Sequence, residues 1–132
     1  MIGLDTNVLL RILIDDGSSH VATARRFASE QVQNGESLYV EHVVLAEIEW
    51  VLGSTFKYGR EQIGAAIDMV LGNSAYEVAD REVALAAWTK YRDGHADFAD
   101  CLIAAKHAAA GCAFTATFDR AMRTLPTTRV LG

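Results

Sequence analysis

Asp5, Asp97, Asp100 and Asp119 fall where the residue pattern ends a strand or opens a helix, and Glu47 and Glu49 lie inside an apolar helical stretch. Carboxylates gathered in one place repel one another and favour a hard divalent cation, which in turn activates water and polarises phosphoryl oxygens. Each residue also has a plainer use. Asp5, followed by Thr6 and Asn7, reads equally as a helix cap. Asp97 and Asp100, three apart in GHADFADCLIAAKHAAAG, share a helical face and form either a near capping box or a pair of oxygen ligands. Asp119 follows CAFTAT and is a cap for a short helix containing Met122, or an acid at a strand's carboxyl end. Glu47 has Val43, Val44, Trp50 and Val51 three and four positions away, surroundings in which a buried carboxylate is costly unless paired or metal-bound. Glu49 has similar neighbours, and periodicity does not choose between the two.

The elements that must position these acids are read from pattern. Short runs rich in β-branched or aromatic residues predict strands at 2–5, 37–41, 75–78, 112–117 and 128–131. Helical patterns fill 7–14, 19–34, 43–56, 60–72, 80–93 and 97–110, several closed by glycine. Strands alternating with helices imply βαβ units and an α/β fold, in which ligands bind beyond the carboxyl ends of parallel strands. Three of the acidic positions are expected on that edge, joined by a buried glutamate from a neighbouring helix.

Composition bounds the rest. With 132 residues, 51% hydrophobic content and one proline, Pro126, the chain suits one domain over 1–132 without a disordered linker. Cys101 and Cys112 read as small core hydrophobes in a reducing cytoplasm. No leader or membrane span is expected, since Asp5, Arg11 and Asp15 interrupt the first apolar stretch. His20, His42, His95 and His107 lack ligand spacing, and His107 reads as a surface or packed side chain. The net charge of −5 argues against a broad basic face for nucleic acid, unless several acids hold cations in one site.

LDTNVLL, LAEIEWVL, ADFADCLIAA and TFDR, in this order, resemble the four successive motifs of PIN domains, specifically the VapC-type toxins of bacterial toxin–antitoxin pairs. The resemblance spans nearly the whole chain. It implies a three-layer α/β/α fold with a mostly parallel central sheet of about five strands, and endoribonuclease activity dependent on Mg²⁺ or Mn²⁺. It places metal-binding acids at Asp5, Glu47, Asp100 and Asp119, with Asp97 as an auxiliary acid, and so selects Glu47 over Glu49. Thr6, Asn7 and Thr117 match polar positions that hold carboxylates through hydrogen bonds. It further implies a homodimer, a VapB-like antitoxin covering the acidic site, and promoter DNA bound only through that complex.

The reaction so implied is hydrolysis of an RNA phosphodiester by metal-activated water, with Asp5 and Asp100 as the foremost ligands. Arg11, Lys57, Arg60, Lys106, Arg120 and Arg123 are candidates for steering the RNA backbone. Two other readings compete: a phosphatase with Asp5 as nucleophile, disfavoured because Asn7 stands where a second Asp is expected, and an inactive PIN-like binding module, disfavoured by the cost of an unneeded acidic cluster.

Overall fold

Strands this short need helices on both sides to bury them, and the chain supplies helices between nearly every pair. The computed structural model describes residues 1–132. In chain order it runs β1 (Ile2–Gly3), α1 (Thr6–Leu13), α2 (Ser19–Gln33), β2 (Leu38–Val40), α3 (His42–Ser54), α4 (Arg60–Leu71), β3 (Tyr76–Val78), α5 (Arg81–Asp93), α6 (Phe98–Ala109), β4 (Thr115–Thr117), a 3₁₀ turn (Arg120–Thr124) and β5 (Thr128–Val130). All ladders are parallel, with Ile2 beside Leu38, Leu38 beside Tyr76, and Thr115 beside Thr128. The expected α/β architecture is present.

The expected single sheet of five strands is divided into β1-β2-β3 and a separate pair, β4-β5. The two-residue β1 pairs with β2 alone, and no ladder joins it to the second pair. The layers are held by side-chain burial instead. On α3, Val44, Leu45, Ile48 and Leu52 form one buried stripe, which meets Leu9, Ile67, Leu71 and Phe98 in the common core.

Local chemistry sets where the helices end. Ser18 accepts the His20 N–H at the start of α2. At the end of α6, Gly111 takes φ 88°, while the Cys112 N–H reaches the His107 carbonyl and the Gly111 N–H the Ala108 carbonyl. That paired closure turns the chain towards β4. It also shortens the strand expected at 112–117 to 115–117 and leaves Cys112 exposed, contrary to its reading as a core residue. Cys101 is buried as expected, and burial pushes its thiol up to about 11.

Arg60 ties α4 to the end of α5. Its guanidinium donates to the carbonyls of Tyr91 (2.5 Å), Ala96 (2.7 Å) and His95 (3.3 Å) and lies 4.0 Å from the centre of the Tyr91 ring. The segment leading into α6 is thereby fixed, and Arg60 is spent on the backbone rather than left for RNA. No helix is long and apolar enough to cross a membrane.

Phe98 sets the first turn of α6: it is fully buried and meets Tyr91 edge-on at 6.0 Å. Phe98→Ala is therefore expected to lower unfolding free energy by about 3–5 kcal/mol in denaturant titration. A loss below about 1 kcal/mol would mean that the site can collapse around the cavity.

Candidate active site

The buried stripe of α3 aims the two flanking glutamates apart. Ile48 points into the core, Glu47 is exposed, and Glu49 is half-buried against the start of α6. Glu47 is thus not the buried carboxylate that its apolar neighbours suggested. Val43 and Trp50, 63% and 70% exposed, open onto a cleft with it instead of facing the core. Thr6, itself buried, donates its hydroxyl to Glu47 Oε1 at 3.1 Å and so links α1 to α3.

Glu49 has a different task. Its carboxylate accepts the backbone N–H groups of Phe98 (2.5 Å) and Ala99 (2.8 Å), capping α6 from outside that helix. Asp97 occupies the N-cap position of α6 but its side chain makes no cap bond; only its carbonyl is used, by the Cys101 N–H. Asp5 stands likewise at the N-cap of α1, its carbonyl engaged and its carboxylate uncommitted to the cap. Asp119 does cap: Oδ1 accepts from the Ala121 N–H at 2.9 Å. The capping reading therefore holds for Asp119 and fails for the side chains of Asp5 and Asp97.

Glu47, Glu49, Asp97 and Asp100 line one open cleft of about 700 Å³ between α3 and α6. Burial first, then the charges of Asp97 and Asp119, hold the Asp100 carboxyl above its ordinary range, so Asp119 lies within reach of this group. Burial also raises Glu49 against the opposing pull of the Ala99 and Phe98 N–H groups, with Asp97 and Asp100 adding repulsion. Asp5 is exposed and opens onto a neighbouring cleft with Asn7 and Arg11. Its next residue, Thr6, is the link to Glu47. The acids are adjacent but not closed into a shell: no three His, Cys, Asp or Glu side chains are gathered closely enough to hold an ion as they stand.

The supporting residues divide in the same way. Thr6 binds a carboxylate as expected. Thr117 instead accepts the backbone N–H of Asp119 at 3.0 Å, orienting the loop rather than its carboxylate. Among the cations, Lys106 contacts His42 Nδ1 at 3.0 Å and Arg11 lies 3.5 Å from Asp16. His107 is exposed and contacts Thr115 through Nδ1.

Comparison with known proteins decides what this arrangement is part of. The family model described as PIN domain matches residues 2–127. The chain belongs to the PIN-domain family. It is also similar to a VapC ribonuclease of Aquifex aeolicus (strain VF5), 30% identical over 122 residues, which cover 92% of this chain and 90% of that protein. Within this PIN domain, what the sequence reading missed is the role of Glu49. Its signal was the i, i+2 placement of two glutamates around a core isoleucine, which forces them onto different sides of one helix.

Two measurements probe the site without substrate. Glu49→Ala leaves two N–H groups without their acceptor and is expected to cost about 1–3 kcal/mol, with Glu49→Gln costing less. Equal stability of Glu49→Ala and the parent chain would show that water caps α6 as well. Because Asp100 is raised in the folded state, its ionisation opposes folding at neutral pH, and that cost disappears as pH falls through the raised value towards the ordinary 3.8. In EDTA, Asp100→Asn should therefore melt above the parent chain at about pH 7.5, with the gap closing towards about pH 4. A parent chain that melts higher at neutral pH would mean that the α6 dipole outweighs burial and repulsion.

Proposed function

We propose that this PIN domain, as one domain over 1–132, is the ribonuclease toxin of a type II toxin–antitoxin pair, cleaving RNA with Mg²⁺ or Mn²⁺. The observation that carries the reading is the release of Asp97 and Asp5 from capping: Glu49 takes over at α6, and an uncommitted carboxylate stands near Asp100, whose carboxyl burial and neighbouring charge raise. The relative's character as a VapC ribonuclease adds to it.

The donor set fits a hard cation. It consists of carboxylate oxygens whose repulsion a divalent charge would relieve, and Mg²⁺ keeps several waters, so it does not require a closed protein shell. Asp5, Glu47, Asp100 and Asp119 would hold the ion, with Asp97 as auxiliary. When bound, such an ion supplies an activated water and a polarised phosphoryl oxygen, giving hydrolysis to 5′-phosphate and 3′-hydroxyl ends.

The chain's own residues do the positioning. Thr6 fixes one oxygen of Glu47, leaving the other for the cleft. Thr117 holds the Asp119 backbone, and the cap bond to Ala121 fixes Asp119 Oδ1, so that Oδ2 is the oxygen left to face Asp100. Asn7 borders Asp5 in its cleft as a neutral donor for a phosphate or a water. The same reading includes a cytoplasmic homodimer, a VapB-like antitoxin that covers the acids, and promoter DNA bound through that complex.

Purified protein is expected to cleave RNA in Mg²⁺ or Mn²⁺ and to stop in EDTA, with Asp5→Asn and Asp100→Asn each losing activity on the order of 100-fold or more while remaining folded. Metal at about 100 times its dissociation constant should stabilise the antitoxin-free protein by about 2.7 kcal/mol, and Asp100→Asn should blunt the gain. Full cleavage in EDTA, or rates close to the parent's from both variants, would overturn the proposal.

A further inference from the structure

RNA binding by this chain has to be explained without a basic surface. The net charge is −5, and three cations already have partners: Arg60, which lines the cleft but is held by three carbonyls and the Tyr91 ring, Arg11 with Asp16, and Lys106 with His42. Phosphate pairing is then a limited source of affinity, and for single-stranded RNA the other main source is stacking of bases on aromatic side chains.

Trp50 is placed for that. It follows Glu47 by three residues, on the same exposed side of α3, and lines the cleft that holds Glu47, Asp97 and Asp100. Its side chain is 70% exposed, although tryptophan normally buries its ring. The other tryptophan shows what a structural indole does here: Trp88 is partly buried, donates its N–H to the Gly64 carbonyl at 2.9 Å and carries Arg92 at 5.1 Å from its ring. Trp50 is free of such ties and stands one helical turn from a carboxylate of the proposed catalytic set.

We infer that Trp50 is the stacking platform for an unpaired nucleobase next to the scissile phosphate, and so sets substrate position. This rests on the ribonuclease reading above. The antitoxin proposed above would have to bring cations to pair Glu47, Asp97 and Asp100, and a second copy of this acidic chain brings no such surplus, so in the antitoxin-free protein a nucleotide is the occupant that suits the cleft. A phosphodiester brings its base to Trp50 and leaves those acids hydrated or metal-bound.

The test is a kinetic cycle on a single-stranded RNA oligonucleotide that the parent protein cleaves. Trp50→Ala should raise KM about tenfold or more, the scale of one lost base stack, with kcat little changed, and Trp50→Phe should recover most of the loss. The same oligonucleotide is then made abasic at each position flanking the cut. One abasic position should weaken the parent protein about as much as Trp50→Ala does, and should add nothing further to Trp50→Ala, because both changes remove the same contact. An unchanged KM for Trp50→Ala, or additive losses at every abasic position, would overturn the inference. A shift in sedimentation of Trp50→Ala without that non-additivity would overturn it in favour of a second copy covering the indole. If the parent protein cleaves no RNA in Mg²⁺ or Mn²⁺, the ribonuclease reading fails first and this inference falls with it.

Discussion

The carboxylate of Glu49, seated on the N–H groups of Phe98 and Ala99, fixes how the acidic helix α6 meets α3. Helix starts expose N–H groups that must find acceptors, and here the acceptor comes from another element. Ile48, fully buried one residue earlier, anchors the same turn of α3 in the core, so Glu47 and Glu49 have no freedom to exchange sides. The arrangement has an electrostatic cost, visible in the upward shifts of Glu49 and Asp100. Hydrogen bonds to a charged acceptor contribute about 1.5–3 kcal/mol each, enough to hold one carboxylate beside others.

An acidic site within an acidic protein constrains how it can meet a polyanion. A general basic field would draw RNA to the wrong places as readily as to the site, whereas local neutralisation confines attraction to the acids themselves. The fate of the cations agrees with that division. Arg60 holds the loop before α6 in place, and Arg92 pairs with its neighbour Asp93 while covering Trp88. These cations build the frame, and under the proposed reading the orientation of substrate falls to hydrogen bonds and apolar contacts along the cleft.

Most of the element order was legible in the sequence because the signals are local. Helix period, glycine stops and β-branched runs located all five strands and all six helices. The division of the sheet was not legible, because two-residue and three-residue strands carry too few ladder bonds for pattern to specify a neighbour. At the site, the adjacency of Asp97 and Asp100 follows from spacing alone. The exposure of Glu47 does not: Val43 and Trp50 supply apolar neighbours in sequence while themselves facing solvent. The structural use of Arg60 was not legible for a related reason. A sequence shows that a guanidinium is present but not that three carbonyls from the α5–α6 junction converge on it. Cys112 shows the limit of residue type, since a closing turn at Gly111 carries it out of any core.

Capping and metal binding were posed as rivals for the same aspartates, and the geometry shows why they need not be. A carboxylate has two oxygens, and Asp119 commits Oδ1 to Ala121 while Oδ2 carries no cap bond. Its cap bond then serves as an orienting contact that holds the group in place. Asp5 and Asp97, with both oxygens outside the caps, are exposed side chains on backbones already fixed by the carbonyl bonds of their helices. A site assembled this way has one preset acid, one acid at Asp100 raised chiefly by burial, and two exposed carboxylates outside the caps. Closing such a set without added positive charge would bring like charges together.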